Sequence, residues 1–285
     1  MAHAPYEVRQ VGKEEGDSVS RLLVSAEWRH QHMEWYSPLD LLGLEPFLML
    51  LSGREPVAVL ACPVDPPKVA WLRVFAARPR QAVSRAWETL WPVAASRVSR
   101  CGADTAAAIA IETWLVPLLD HAGFELLNSV VFFEWQGQVP FASPNPAIRV
   151  RPMEREDLGI ISELDARAFS RIWRHSLSAL SEGLRQCQLA TVLEIDGELA
   201  GYQMSTASAF GAHLARLAVD PKWQGRGLAK ALVTDALRHF ATRGIERMTV
   251  NTQADNLPGQ RVYRSLGFQE SGPQYPVYEI PLRNL

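Results

Sequence analysis

The stretch AVDPKWQGRGLAKALV, residues 218–233, places Gln224, Gly225 and Gly227 where an apolar run passes through a polar turn into apolar residues at helical spacing. Three readings of these glycines are open. They supply positive φ for a tight turn, since glycine has no Cβ to clash. They let the start of a helix pack closely on a sheet. Or they let backbone N–H groups approach an anion at a helix N-terminus, which offers unpaired donors and the positive end of the dipole. Two familiar glycine loops do not fit. Lys230 stands where a dinucleotide fingerprint needs Gly or Ala, and no G-x-x-x-x-G-K-[ST] string occurs. H-E-x-x-H and G-x-S-x-G are also absent. What remains is Q-x-x-G-x-A, with Gln224, Gly227 and Ala229 at a strand-to-helix junction.

The elements that must hold this loop read as follows. Ile148–Arg151 is a strand, and a helical region runs from Met153 to about Arg185, with Glu154, Glu156 and Asp157 complementing its dipole. Strands follow near 189–195, 198–206 and 213–219, the first two joined at Asp196-Gly197, a hairpin signal. From Gly227, Leu228, Leu232, Val233, Ala236, Leu237 and Phe240 recur at helical spacing, and Gly244 ends that helix. Glu246–Thr252 is a strand, Leu257–Leu266 a short helix and Gln274–Leu282 a last strand. The strand, helix, strand order over 213–252 implies a parallel pair within a mixed sheet.

The chain also resembles itself. PFLMLLSGREPVAVLA (46–61) has the form of ATVLEIDGELAGYQMS (190–205); WLRVFAARPRQ (71–81) lines up with LARLAVDPKWQ (214–224); LLDHAGFELL (118–127) matches YRSLGFQES (263–271). The three shifts are 143 or 144 residues and come in the same order, which indicates tandem duplication of one α/β unit. GQVPFASPNPA (137–147), uncharged and rich in proline, is the expected linker between domains 1–138 and 147–285. The copies differ at the loop, where Ala82 and Ser84 replace Gly225 and Gly227. Turn-making alone would be needed in both, so the difference favours an anion cradle in the second copy.

LAVDPKWQGRGLAKALV followed by NTQADNLPGQRVYRSLGF resembles the GNAT superfamily of N-acetyltransferases over about residues 147–282. Two motifs carry the resemblance: Q/R-x-x-G-x-G/A at Gln224–Ala229, and Asn256 with Tyr263, Gly267 and Phe268 in the spacing N-x(6)-Y-x-x-x-G-F. It implies two tandem GNAT folds, with a degenerate first copy in which Leu119 stands in the place of Tyr263. It further implies acetyl-CoA as cosubstrate. The pyrophosphate would be held by the N–H groups of Gln224, Gly225, Arg226, Gly227, Leu228 and Ala229, with contacts from Arg226 and Lys230. The pantetheine arm would run along Leu217–Val219 as an added strand and touch Asn256. Val219 N–H would face the thioester carbonyl as oxyanion donor, and Tyr263 would protonate the departing thiolate. The related ribosomal-protein N-terminal acetyltransferases carry a glutamate base at the place of Asn251. An amide cannot act as a base, so deprotonation falls to water or a carboxylate such as Asp220 or Glu194.

The expected activity is acetyl transfer from acetyl-CoA to a primary amine of a small molecule, peptide or protein, by direct attack in a ternary complex. The alternative is a non-catalytic acyl-CoA sensor. No metal is expected. EWRHQHMEW (27–35), with His30 and His32, reads as a solvated or interface helix, having no third ligand at motif spacing. Trp28 and Trp35, and in the second copy Phe169 and Trp173, are candidate substrate contacts. HSLSALSEGLRQ (175–186) reads as an amphipathic helix. The 285 residues, 47% hydrophobic and 21% charged with a net charge of −2, argue against a polyanion binder and hence a nucleic-acid partner. Cys62, Cys101 and Cys187 form no pairing framework, and no apolar run is long enough to span a bilayer. A cytoplasmic protein, monomer or homodimer, is therefore expected.

Overall fold

The computed structural model describes residues 6–79, 82–139 and 147–282. Most of the expected linker (140–146) and Gln81 lie outside them. In chain order the first elements are β1 (Tyr6–Gln10), α1 (Gly16–Ser25), β2 (Trp28–Gln31), β3 (Phe47–Ser52), β4 (Glu55–Ala61), β5 (Val69–Trp71), β6 (Val74–Ala77), α2 (Val83–Arg100), β7 (Thr105–Ile109), α3 (Val116–His121) and β8 (Glu125–Gln136). There follow β9 (Ile148–Pro152), α4 (Leu158–Ala168), α5 (Leu177–Gln186), β10 (Leu189–Ile195), β11 (Glu198–Ser208), β12 (Gly211–Val219), α6 (Leu228–Ala241), β13 (Arg247–Gln253), α7 (Leu257–Ser265) and β14 (Gln269–Pro281).

Two compact units result, residues 1–127 with 275–285, and residues 128–274. These are not the expected halves 1–138 and 147–285. Residues 277–281 of β14 pair with β7 in the first unit, and residues 130–136 of β8 pair with β13 in the second. Each sequence half thus gives its last strand segment to the other unit, an exchange that hydrophobic patterning along one strand does not encode.

In the first unit β1-β3-β4-β6-β2 form an antiparallel sheet, and β5 runs parallel to β7. In the second, the order is β8-β13-β12-β11-β10-β9, with β12 and β13 parallel and joined through α6. Val233, Ala236, Leu237 and Phe240 of α6 are buried with Phe133, Leu214, Met248 and Val250 of the sheet. Fully burying a side chain of this size is worth roughly 1.5–3 kcal/mol.

The repeat is visible in irregularities as well as in regular elements. Both hairpins shift register at matching places, Leu50/Leu51 and Leu193/Glu194. Gly123 and Gly267 both take positive φ, and the following phenylalanines donate their N–H to Leu119 O and Tyr263 O. The Gly-Phe pairs were therefore retained as helix terminators in both copies.

Two expected elements differ. The 27–35 stretch is not a helix: Trp28–Gln31 forms β2 on the edge of β6, because that edge has backbone groups to satisfy. The helical region over 153–185 is two helices, α4 and α5. Asp165 Oδ1 takes the His175 N–H at 2.8 Å and Ser176 Oγ caps Ala179 N–H at 3.1 Å, fixing the break between them. Among the described residues no helix is long and apolar enough to cross a membrane.

Candidate functional site

The loop glycines are answered first by conformation. Gly225 and Gly227 have φ of +77° and +78°, the left-handed region where a side chain is strained. A Cβ on either would meet no atom within 4 Å, so close packing on the sheet is not the reason for glycine there. The first copy takes another path, with Ala82 extended (φ −63°, ψ 110°) at the start of α2. At these two positions the backbone differs between the copies, Ser84 lying in α2, and the absence of glycine from the first reflects its negative φ at Ala82 and its helix at Ser84.

The consequence of the turn is a set of aligned donors. Ala231 N–H makes the first helical bond, to Gly227 O at 3.1 Å. Among the described residues, the N–H groups of Gly225 through Lys230 have no recorded acceptor. They stand at the positive end of a 14-residue helix. The segment Gln224–Gly227 is exposed, while the Leu228 side chain is buried against Val219 and Leu232 and anchors the helix start. Ala229 is half-buried and Lys230 exposed. Arg226 is not free in this loop: its guanidinium lies 4.7 Å from the Trp223 ring centre.

Next to the loop, β12 has an open edge. Met204 pairs with Arg216 and Ser205 with Leu214, so Ala215 is an extra residue, a bulge that bends the strand. The parallel pairing of β12 to β13 covers only Ala212–Leu214 opposite Met248–Val250, and beyond it the two strands have no further rungs. Asp220 N–H bonds Ala200 O at 2.9 Å on the β11 side. Alternation along a strand then sends the N–H groups of Leu217 and Val219 toward the uncovered edge. Gln224 Nε2 donates to Val219 O at 3.1 Å, tying the loop to the strand end.

In the first unit the matching edge is closed. Leu60 pairs with Phe75 and Ala58 with Ala77 on one side of β6; on the other, β2 pairs along Val74–Ala77, and Glu27 N–H adds a bond to Ala77 O at 3.1 Å. A tripeptide explains the divergence. Trp28-Arg29-His30 recurs as Trp173-Arg174-His175, where it forms a turn instead of a strand. That turn is pinned by Arg216, which donates to Asp165 Oδ2 at 2.6 and 2.9 Å and to Trp173 O at 2.7 Å. Tyr202 also donates to Asp165, and the Phe169 ring lies 3.5 Å from the Arg216 guanidinium carbon. Asp165 and Tyr202 are fully buried and Arg216 nearly so; Phe169 and Trp173 are half-buried beside this network.

Asn256 and Tyr263 sit on α7. Asn256 caps the helix, its Oδ1 accepting Gly259 N–H at 3.1 Å and its Nδ2 donating to Thr252 Oγ1 at 2.8 Å. Tyr263 is buried with Phe133 and Phe268, ring centres 6.0 and 5.8 Å away, and burial raises its pKa well above that of a free phenol. It stays protonated at neutral pH. Of the suggested bases, Asp220 is salt-bridged by Arg167 at 2.7 Å and caps the following turn through Lys222 N–H. Burial would raise its pKa, but these partners hold it below the ordinary value, which makes it a poor proton acceptor. Glu194 is paired with Arg151 at 2.7 Å on β10, two strands from β12.

Neither His30 nor His32 belongs to a group of three or more potential metal ligands among the described residues. Trp35 is buried and Trp28 packs edge-on to Trp114 at 5.6 Å. No sequence motif singles out His213, which shares β12 with Arg216 before the loop; its ring hydrogen-bonds Thr249.

Comparison with known proteins fits this geometry. Residues 158–268 match the family model described as Acetyltransferase (GNAT) family. The mycothiol acetyltransferase of Saccharomonospora viridis is 48% identical over 59 residues, 20% of this chain and only 19% of that protein. The [ribosomal protein bS18]-alanine N-acetyltransferase of Escherichia coli K12 is 27% identical over 122 residues, 43% of this chain and 81% of the relative. A tandem GNAT protein from the clavulanic acid biosynthesis pathway aligns over 98% of this chain and 99% of its own, with TM-score 0.66 and 18% identity, a likeness of fold. Residues 158–268 thus match the GNAT acetyltransferase family model, and the chain as a whole has the fold of a tandem GNAT protein.

Proposed function

We propose that this protein is an acetyl-CoA-dependent N-acetyltransferase, active in its second unit and acting in the cytoplasm on a primary amine. The observation that carries the reading is the continuity of two donor sets: the open edge of β12 at Leu217 and Val219, and the unpaired N–H groups from Gly225 to Lys230. A pantetheine arm has amides to pair with the first, and a pyrophosphate has the charge to suit the second.

In this reading Val219 N–H stabilises the oxygen of the tetrahedral intermediate, because it points to the edge along which the thioester would lie. Asn256 keeps capacity for a pantetheine contact, since an amide has two donors and two acceptor sites and only one of each is engaged. Tyr263 gives its proton to the departing thiolate. The relatives' names, a ribosomal-protein bS18 alanine N-acetyltransferase and a mycothiol acetyltransferase, support acetyl transfer without selecting among acceptors. A second reading, an acyl-CoA sensor without turnover, draws on the packing of Tyr263 in the core and the amide at Asn251.

Release of free thiol from acetyl-CoA separates the two. The panel comprises an alanine-terminated peptide, lysine, glucosamine and spermidine. Amine-dependent release with at least one member is the expected result. Binding of acetyl-CoA with no release above the amine-free rate for any member would favour the sensor.

A further inference from the structure

The proposed reaction needs a group to take a proton from the acceptor amine, and the family's glutamate position holds Asn251. Beside it stands His213. On β12, His213 pairs with Thr249 of β13, one rung before the pairing ends at Leu214 and Val250. Asn251 is the first β13 residue beyond that rung, so the imidazole lies at the vertex where the two strands cease to pair. Its Nδ1 is 2.8 Å from Thr249 Oγ1. The Thr249 hydroxyl is in turn 3.4 Å from Ala212 O, to which it donates. With its own proton directed there, the hydroxyl accepts from Nδ1–H. That hydrogen bond selects the tautomer whose unprotonated nitrogen is Nε2.

We propose that His213, oriented by Thr249, is the general base of this acetyl transfer. The inference rests on the acetyltransferase reading above. Nε2 takes one proton from the acceptor ammonium, directly or through one water. The freed nitrogen lone pair forms the C–N bond, and on collapse the C–S electron pair goes to sulfur, which takes the Tyr263 proton. The surplus proton on the attacking nitrogen passes to solvent and offsets the one returned to Tyr263, and the imidazolium releases its proton to bulk water.

The surroundings suit the role. Burial lowers the pKa of His213 below that of a free imidazole, and Asn251, in hydrogen-bonding reach of the ring, favours the charged form that proton uptake creates. The charged groups on neighbouring elements are already paired: Glu134 of β8 with Arg247 of β13, and Asp165 of α4 with Arg216 of β12. Thr206, opposite on β11, is uncharged.

The test compares wild type, His213→Gln and His213→Ala in thiol release with the panel amine that reacts fastest. General-base assistance is typically worth ~10²–10⁴-fold, and at least a tenfold loss of kcat is expected in both variants. Acetyl-CoA affinity should stay within about twofold. Added imidazole should restore part of the rate in His213→Ala, where the ring has left space, and little in His213→Gln. Wild-type kcat in a folded His213→Gln, or a loss that imidazole does not relieve in His213→Ala, would overturn the proposal. A measurement on wild type alone covers failure of both variants to fold. The ¹⁵N shifts of His213 should report a neutral Nδ1–H tautomer at pH 7; an imidazolium or the Nε2–H tautomer contradicts it. If wild type releases no thiol with any amine, the transferase reading fails and the base falls with it. Release by wild type with an unaffected variant removes His213 alone.

Discussion

At the scale of single residues, the first copy has Leu119 where the second has Tyr263, an aliphatic side chain in place of a buried phenol. Tyr263→Phe keeps the ring against Phe133 and Phe268, so packing and acetyl-CoA affinity should change little. If the phenol protonates the thiolate, the lost interaction is made chiefly in the transition state, and kcat falls with KM nearly constant. A coenzyme A thiolate is a tolerable leaving group and the high pKa of this phenol weakens it as an acid, so the expected loss is about a hundredfold, the low end for such catalysis. Steady-state thiol release beside a thermal melt checks it; unchanged kcat in a stable variant would reduce Tyr263 to packing. The glycines call for a control, because φ of +78° at Gly227 means that any side chain there costs backbone strain as well as obstructing a ligand. Gly244, φ +76° with nothing within 4 Å of a Cβ, lies past the other end of α6 and carries the strain alone. Gly227→Val should weaken acetyl-CoA at least about tenfold, roughly 1.4 kcal/mol. Gly244→Val should lower the melting temperature and leave affinity unchanged. Equal effects on binding from both would reduce the loop glycines to turn-makers.

At the scale of elements, the proposed site depends on β12 parting from β13, whose pairing ends at Leu214 and Val250 among the described residues. The bulge at Ala215 bends the strand, and the Asp165–Arg216–Tyr202 network holds the 169–175 turn, where the first copy sends Trp28–Gln31 onto β6. Removing one member of such a network leaves a buried charge unpaired. Asp165→Ala should therefore cost about 3–5 kcal/mol in urea unfolding, and a loss under 1 kcal/mol would mean that Arg216 finds another partner or water. Much of the second unit was legible in the sequence. Strands β10, β11 and β13 and helices α6 and α7 fall within a few residues of the periodicity, because amphipathic period and glycine stops are local signals. The Leu217 and Val219 edge came from the resemblance alone; the register shows only that their N–H groups face away from β11. The exchange of β8 and β14 segments between units was not legible, nor was β2. Both are choices of pairing partner, and an edge strand such as WRHQ has no pattern that names its neighbour. The same tripeptide, Trp-Arg-His, makes a strand in one copy and a turn in the other, which shows tertiary context overriding local preference.

At the scale of the whole molecule, buried titrating groups link stability to pH. His30 is fully buried in the first unit and burial lowers its pKa to about 4, with the Leu72 carbonyl opposing weakly. The unfolded chain takes up a proton near pH 6.5 that the folded chain refuses until about pH 4. The unfolded state therefore binds more protons in this window, and stability falls as pH is lowered through it, by about 1.4 kcal/mol per pH unit for this group. Urea unfolding at pH 7, 6 and 5 should show that slope reduced in His30→Leu; an unchanged slope would mean that His30 is solvated in the folded chain. The two units share a fold and differ at the edge that matters, closed by β2 in the first and open in the second. That asymmetry is the central claim, and calorimetric titration of the full chain with acetyl-CoA tests it most directly. One site per chain, abolished by Gly227→Val in a variant that still melts cooperatively, is the predicted result. Two sites per chain, or one site indifferent to Gly227→Val, would contradict it.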